Sequence, residues 1–135
     1  MEAEIDLEKV PGSTIEERQH WAKVFQEEQE AKNRGQEFDE SLPRMAALRV
    51  QTVSTLADLE KSLPITLLEW ATGKQPRKAV DDLRRSISKY RDLIADCGLV
   101  PSLIEERRPA IGNKVAKADN ARDQIQERFK KAETK

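Results

Sequence analysis

Residues 40–70, ESLPRMAALRVQTVSTLADLEKSLPITLLEW, decide how many helices the chain has. They hold the tripeptide Ser-Leu-Pro twice, at 41–43 and 62–64, 21 residues apart. Serine is a favoured N-cap, and proline fits the first helical turn, where its missing N–H has no partner to lose. Each tripeptide therefore reads as a helix start. From Leu42, the residues Met45, Thr52, Leu56, Leu59 and Leu63 recur at three- and four-residue steps, the period of a helical seam, interrupted by Arg49. Pro64 falls where that helix would otherwise continue and is expected to break or kink it. A short apolar segment, ITLLEWATG, then ends at Gly73. The residues after the two tripeptides diverge, so the reading is shared punctuation rather than an internal repeat.

Upstream, GSTIE at 12–16 reads as a capping box in which Ser13 caps the amide of Glu16 and the Glu16 carboxylate reaches back. A first helix is expected from there to about Arg34, with Gly35 as its stop and little to bury in QEEQEAKNR. Downstream, Val80, Leu83, Ile87, Tyr90, Ile94 and Cys97 follow alternating steps of three and four from a start near Pro76. Gly98 and Pro101 are expected to close that helix. Ile104, Arg108, Ile111, Val115, Ala118, Arg122, Ile125 and Phe129 continue the pattern, with Pro109 and Gly112 expected to split a short helix from a long last one. No segment alternates apolar and polar residues as a strand would. The expectation is an all-α, antiparallel up-and-down bundle of four main helices with a short extra helix. It divides the chain into a flexible acidic N-terminus at 1–12, one bundle domain at 13–132 and a disordered tail at 133–135.

Composition limits what such a fold can do. At 135 residues the chain is the size of one domain. With 36% charged and 4% aromatic residues and a mean hydropathy of -0.77, its core must come from Leu, Ile, Val and Ala. No run is apolar enough to cross a membrane, and MEAEIDLEK is neither a signal nor a transit peptide, so a cytoplasmic protein without membrane contact is expected. The only histidine, His20, and the only cysteine, Cys97, sit far apart in sequence. They supply neither a nucleophile–base pair nor a zinc site, and Cys97 lies on an apolar stripe as a small hydrophobe. Carboxylate pairs such as Asp81–Asp82 are adjacent on a helix and point apart, there is no Glu-x-x-His, and ATGKQPRK lacks a phosphate loop's glycines. Neither catalysis nor a cofactor is expected.

Two surfaces remain as candidates. Residues 73–91 carry seven Lys or Arg against two Asp, with Lys74, Arg77, Lys78, Arg84, Arg85 and Arg91 the candidate contacts to phosphate or an acidic partner. Arg77, Arg84 and Arg91 are seven apart and share a helix face. Residues 1–40 hold 12 acidic against 5 basic residues, so an acidic first helix is the competing occupant of that face. The second surface is apolar: Leu67, Leu68 and Trp70 after Pro64, with Ile111, Val115, Ile125 and Phe129 on the last segment, as contacts to a partner helix or as ordinary core. RKAVDDLRRSISKYRDLI, at 77–94, resembles the RNA-facing helix of rod-shaped plant virus coat proteins, and GQEF at 35–38 is similar to a short motif earlier in them. That likeness spans a small part of the chain with its basic pair one residue out of register, and no family is assigned from it. The function expected is a non-enzymatic protein-interaction module, a scaffold, adaptor or regulatory subunit that binds another protein or a second copy of itself. The alternative is a helical nucleic-acid-binding protein using residues 74–91.

Overall fold

The structure, a computed structural model, describes residues 5–134; Lys135 of the expected tail and residues 1–4 of the expected acidic arm lie outside it. After a single 3-10 turn at Leu7–Lys9, two 57-residue helices make up nearly the whole chain: α1, Ile15–Ala71, and α2, Arg77–Glu133. The expected four main helices are therefore two. Neither Ser-Leu-Pro starts a helix, Gly35 does not stop one, and α2 runs unbroken through Gly98, Pro101, Pro109 and Gly112.

The reason is that nothing interrupts the phase of the seam. In α1 the positions 21, 24, 28, 31, 35, 38, 42, 45, 49, 52, 56, 59, 63, 66 and 70 step by three and four without a slip, and all but Arg49 and Trp70 are buried or half-buried. The 21-residue spacing of the tripeptides is three heptads. Leu42 and Leu63 thus both face the seam, while Pro43 and Pro64 both fall one residue further on and are exposed. Proline inside a helix removes one amide, but on a solvated face water reaches the carbonyl left over, and burying the neighbouring leucines outweighs a local kink. In α2 the steps run through 80, 83, 87, 90, 94, 97, 101, 104, 108, 111, 115, 118, 122, 125 and 129, of which only Pro101 and Phe129 are exposed. The pattern read as three helices, one closing at Gly98 and Pro101, a short one and a long last one, belongs to one.

Helix starts and stops follow local chemistry. The capping box forms one residue later than expected. Thr14 Oγ1 accepts from the Glu17 amide at 3.1 Å and a Glu17 carboxylate oxygen accepts from the Thr14 amide at 3.2 Å. Ser13 is instead part of a turn, its amide donating to the Val10 carbonyl, behind Gly12 at φ +69°. α1 does stop where Gly73 predicts. Gly73 adopts φ +77°, its amide bonds the Trp70 carbonyl at 3.1 Å and the Lys74 amide bonds the Glu69 carbonyl at 2.7 Å, the paired bonds of a Schellman cap.

The described chain divides into two compact units. The first joins residues up to Phe38 with those from Glu106 onward. Its core is Trp21, Val24, Ala118, Ala121 and Ile125, closed at one end by Val10, with Ile5, Leu7 and Phe25 packed against it. Glu28, buried in this seam, receives two hydrogen bonds from Arg122, one at 2.9 Å. The second unit, Asp39–Glu105, holds the turn and buries Thr52, Val80, Ile87, Cys97 and Ile104. Thr52 satisfies its hydroxyl by donating to the Leu48 carbonyl at 2.6 Å, so a polar residue sits in the seam without an unmet bond. The ion pair of Glu60 with Arg91, at 3.0 Å, marks the antiparallel register of the two helices there.

Candidate functional site

The expected basic surface is only partly free. Arg77 pairs with Asp81 at 3.2 Å and stacks over the Trp70 ring at 4.5 Å; Arg85 pairs with Asp82 at 3.8 Å; Arg91 pairs with Glu60. These carboxylates come from the second unit itself. Lys74, Lys78 and Arg84 are exposed at or near the turn. The acidic first segment finds its cations elsewhere: Glu28 meets Arg122, and Glu17 meets Arg128, whose guanidinium also lies 5.3 Å from the Trp21 ring centre. The Arg122 hydrogen bonds hold the Glu28 carboxyl below its ordinary range despite burial, and those of Arg128 do the same for Glu17.

The expected partner-helix residues separate by place. Ile125 is in the first unit's core, Ile111 and Val115 are half-buried, and Phe129 is exposed. Ile111 lies against Gly35, where an added Cβ would meet its side chain at 3.8 Å. Next to this contact is an open cleft of about 300 Å³ lined by Arg34, Phe38, Arg107 and Lys114 among others. In the second unit Leu67 is half-buried, while Leu68 and Trp70 are exposed.

Leu67 turns out to belong to a larger feature, while Leu68 lies one residue outside it. Shifting the α1 seam of the second unit by one residue gives Pro43, Ala46, Val50, Val53, Ala57, Glu60, Pro64, Leu67 and Ala71. All are exposed except the half-buried Leu67, and only Glu60 is charged. Val50 is 72% and Val53 48% exposed. A one-residue shift is a rotation of about 100° around the helix, so this second apolar stripe flanks the first and is left uncovered by α2. The same shift on α2 gives Ala95, Gly98 and Ser102 between Arg91 and Glu105, all exposed, and Gly98 has open space where a Cβ would stand. Since Glu60 and Arg91 are both shifted-row residues and pair with each other, the two rows border the same side of the helix pair. One heptad further from the turn, the register sets Val53 level with Gly98.

Sequence reasoning missed this face because it followed the seam and stopped at Pro64. The signal was present as an uncharged three- and four-residue pattern, Pro43 to Ala57, in a chain where 36% of residues are charged.

The exposed area agrees. The chain exposes 10187 Å², against about 7,200 Å² for a compact monomer of 15.4 kDa. Seven of the nine large exposed hydrophobic side chains lie in the second unit: Val50, Val53, Ile65, Leu68, Trp70, Leu99 and Leu103. Among the described residues no group of three His, Cys, Asp or Glu is placed to hold a metal, and no helix is long and apolar enough to cross a membrane. The chain matches no protein-family model, no curated protein and no solved structure.

Proposed function

We propose that this chain is a non-enzymatic protein-interaction module of the cytoplasm, acting as a scaffold, adaptor or regulatory subunit through the second unit. The observation that carries this reading is the second stripe, Pro43 to Ala71, exposed along one side of α1. A helix face is left apolar and uncharged at considerable cost in water, because each fully exposed valine or leucine forgoes about 1.5–3 kcal/mol of burial. A helix with two adjacent heptad stripes has room for two neighbours, and α2 supplies one of them. The nucleic-acid reading has weaker support. Three of its six candidate cations are engaged with carboxylates of the same unit, and its nearest exposed aromatic ring, Trp70, is covered on one face by Arg77.

The test is a photo-crosslinking residue placed at Val50 and, in a second chain, at Asn113, an exposed position of the first unit. Crosslinking to protein in expressing cells is expected from position 50 and not from position 113. Absence of any protein adduct at position 50 would contradict the reading.

A further inference from the structure

The partner that the second unit fits best is a second copy of itself. The unit is electrically polarised along its length. Residues 61–91, around the turn, carry eight Lys or Arg against three Asp or Glu, a balance of +5. The rest of the unit, 39–60 and 92–105, carries two against seven, a balance of -5. The rows bordering the open face follow the same order: Arg77, Arg84 and Arg91, against Asp81 and Glu60, lie at the turn end, Asp39 and Glu105 at the other, and the uncharged stretch from Pro43 to Ala57 and from Ala95 to Ser102 lies between. A face that is positive at one end, apolar in the middle and negative at the other is complementary to itself when turned end for end.

We infer that two copies dock antiparallel through this face, about a two-fold axis passing near Val53 and Ala57, which rests on the interaction reading given above. In that arrangement each copy's Arg84 and its neighbours lie toward the other's Asp39 and Glu40. Val53 of each copy meets Ala57 of the other, as an isologous contact requires. Gly98 and Ala95, with little or no side chain, let the partner helix approach closely. From Ala46 to Leu67 the stripe is about 33 Å long, at about 1.5 Å per residue. Parallel docking would set +5 against +5 and -5 against -5, so charge selects direction while apolar contact supplies affinity.

Charge exchange tests this. One chain carries Lys78→Glu and Arg84→Glu, which lowers the balance of the turn end from +5 to +1, and another carries Asp39→Lys and Glu40→Lys, which raises that of the other end from -5 to -1; circular dichroism establishes that each is helical. By light scattering at low salt, the native chain should have twice the 15.4 kDa mass, each reversed chain alone should associate at least roughly tenfold more weakly, and the two mixed should recover the dimer. Failure of folded, mixed chains to associate, or dimers indifferent to both reversals, would overturn antiparallel docking. A native chain monomeric at about 100 µM would overturn self-association; crosslinks from Val50 to a protein of another mass would then leave the interaction reading standing, and no crosslink at all would remove both.

Discussion

At the scale of single residues, the first unit depends on how Glu28 is held. Its side chain is only 6% exposed, so its charge is tolerable because Arg122 donates twice to it and Lys32 lies 3.7 Å away. Replacing it by Gln takes the buried charge away from Arg122, which keeps its pairing with Asp119 at 2.9 Å, and urea denaturation should show a loss of about 2 kcal/mol. The folded-state pKa is lowered, so this stabilisation is complete above the ordinary carboxylate value of 4.5 and is lost as pH falls through the folded value. The native protein should therefore weaken in acid below about pH 4.5, and the Glu28→Gln chain should weaken less steeply over that range, as read by thermal melts from pH 6 to pH 3. Equal slopes for the two proteins would show that the pair is not the acid-sensitive element. Ile125, 1% exposed beside Trp21 and Val24, is the apolar counterpart. Truncation to Ala should cost about 2–5 kcal/mol at neutral and acidic pH alike.

At the scale of elements, the glycines and prolines separate what is punctuation from what is carried along. Gly73 is punctuation, since φ +77° is a conformation that a Cβ penalises, and Gly73→Ala should destabilise by about 1 kcal/mol. Gly112 lies inside α2 with nothing within 4 Å of where its Cβ would stand, so Gly112→Ala should stabilise by about 1 kcal/mol and raise the melting temperature by a few degrees. Pro64→Ala restores an amide to the Glu60 carbonyl and should stabilise too, with amide exchange slowing around residue 64. A reversal of any of these signs would mean that the helices are divided differently. These residues also mark what the sequence could reveal. The α2 seam from Val80 to Phe129 was legible in full, as was the stop at Gly73, because periodicity and αL caps are local signals. The continuity of the helices was not. Pro43, Pro64, Pro101 and Pro109 carry the local chemistry of breaks, and only the unbroken phase on either side, which is a tertiary matter of what faces the other helix, shows that they break nothing. The seam through Glu28, Ala31 and Gly35 was hidden for another reason. It is made of a charge, a small residue and no side chain, where the paired Arg122 and the bulk of Ile111 complete the packing.

At the scale of the whole molecule, two helices with one shared seam each leave an outer surface, and for most of that surface the sequence supplies charge. An exception is the side of the second unit where the row from Pro43 to Ala57, through Val50 and Val53, carries no charge. The apolar contact expected from the sequence at Leu67 is near its end, and its centre was not seen because the residues there are small and β-branched in place of leucines. Val50 and Val53 are exposed, so carboxylates placed there should leave the helices of the isolated chain intact while abolishing what the face binds. The measurement to make is sedimentation equilibrium of the native chain beside the Val50→Glu, Val53→Glu chain, at equal concentration and low salt. A native mass near twice 15.4 kDa, falling to 15.4 kDa in the variant with unchanged circular dichroism, is the predicted result. The same mass for both proteins would contradict the assignment of this face as the contact surface.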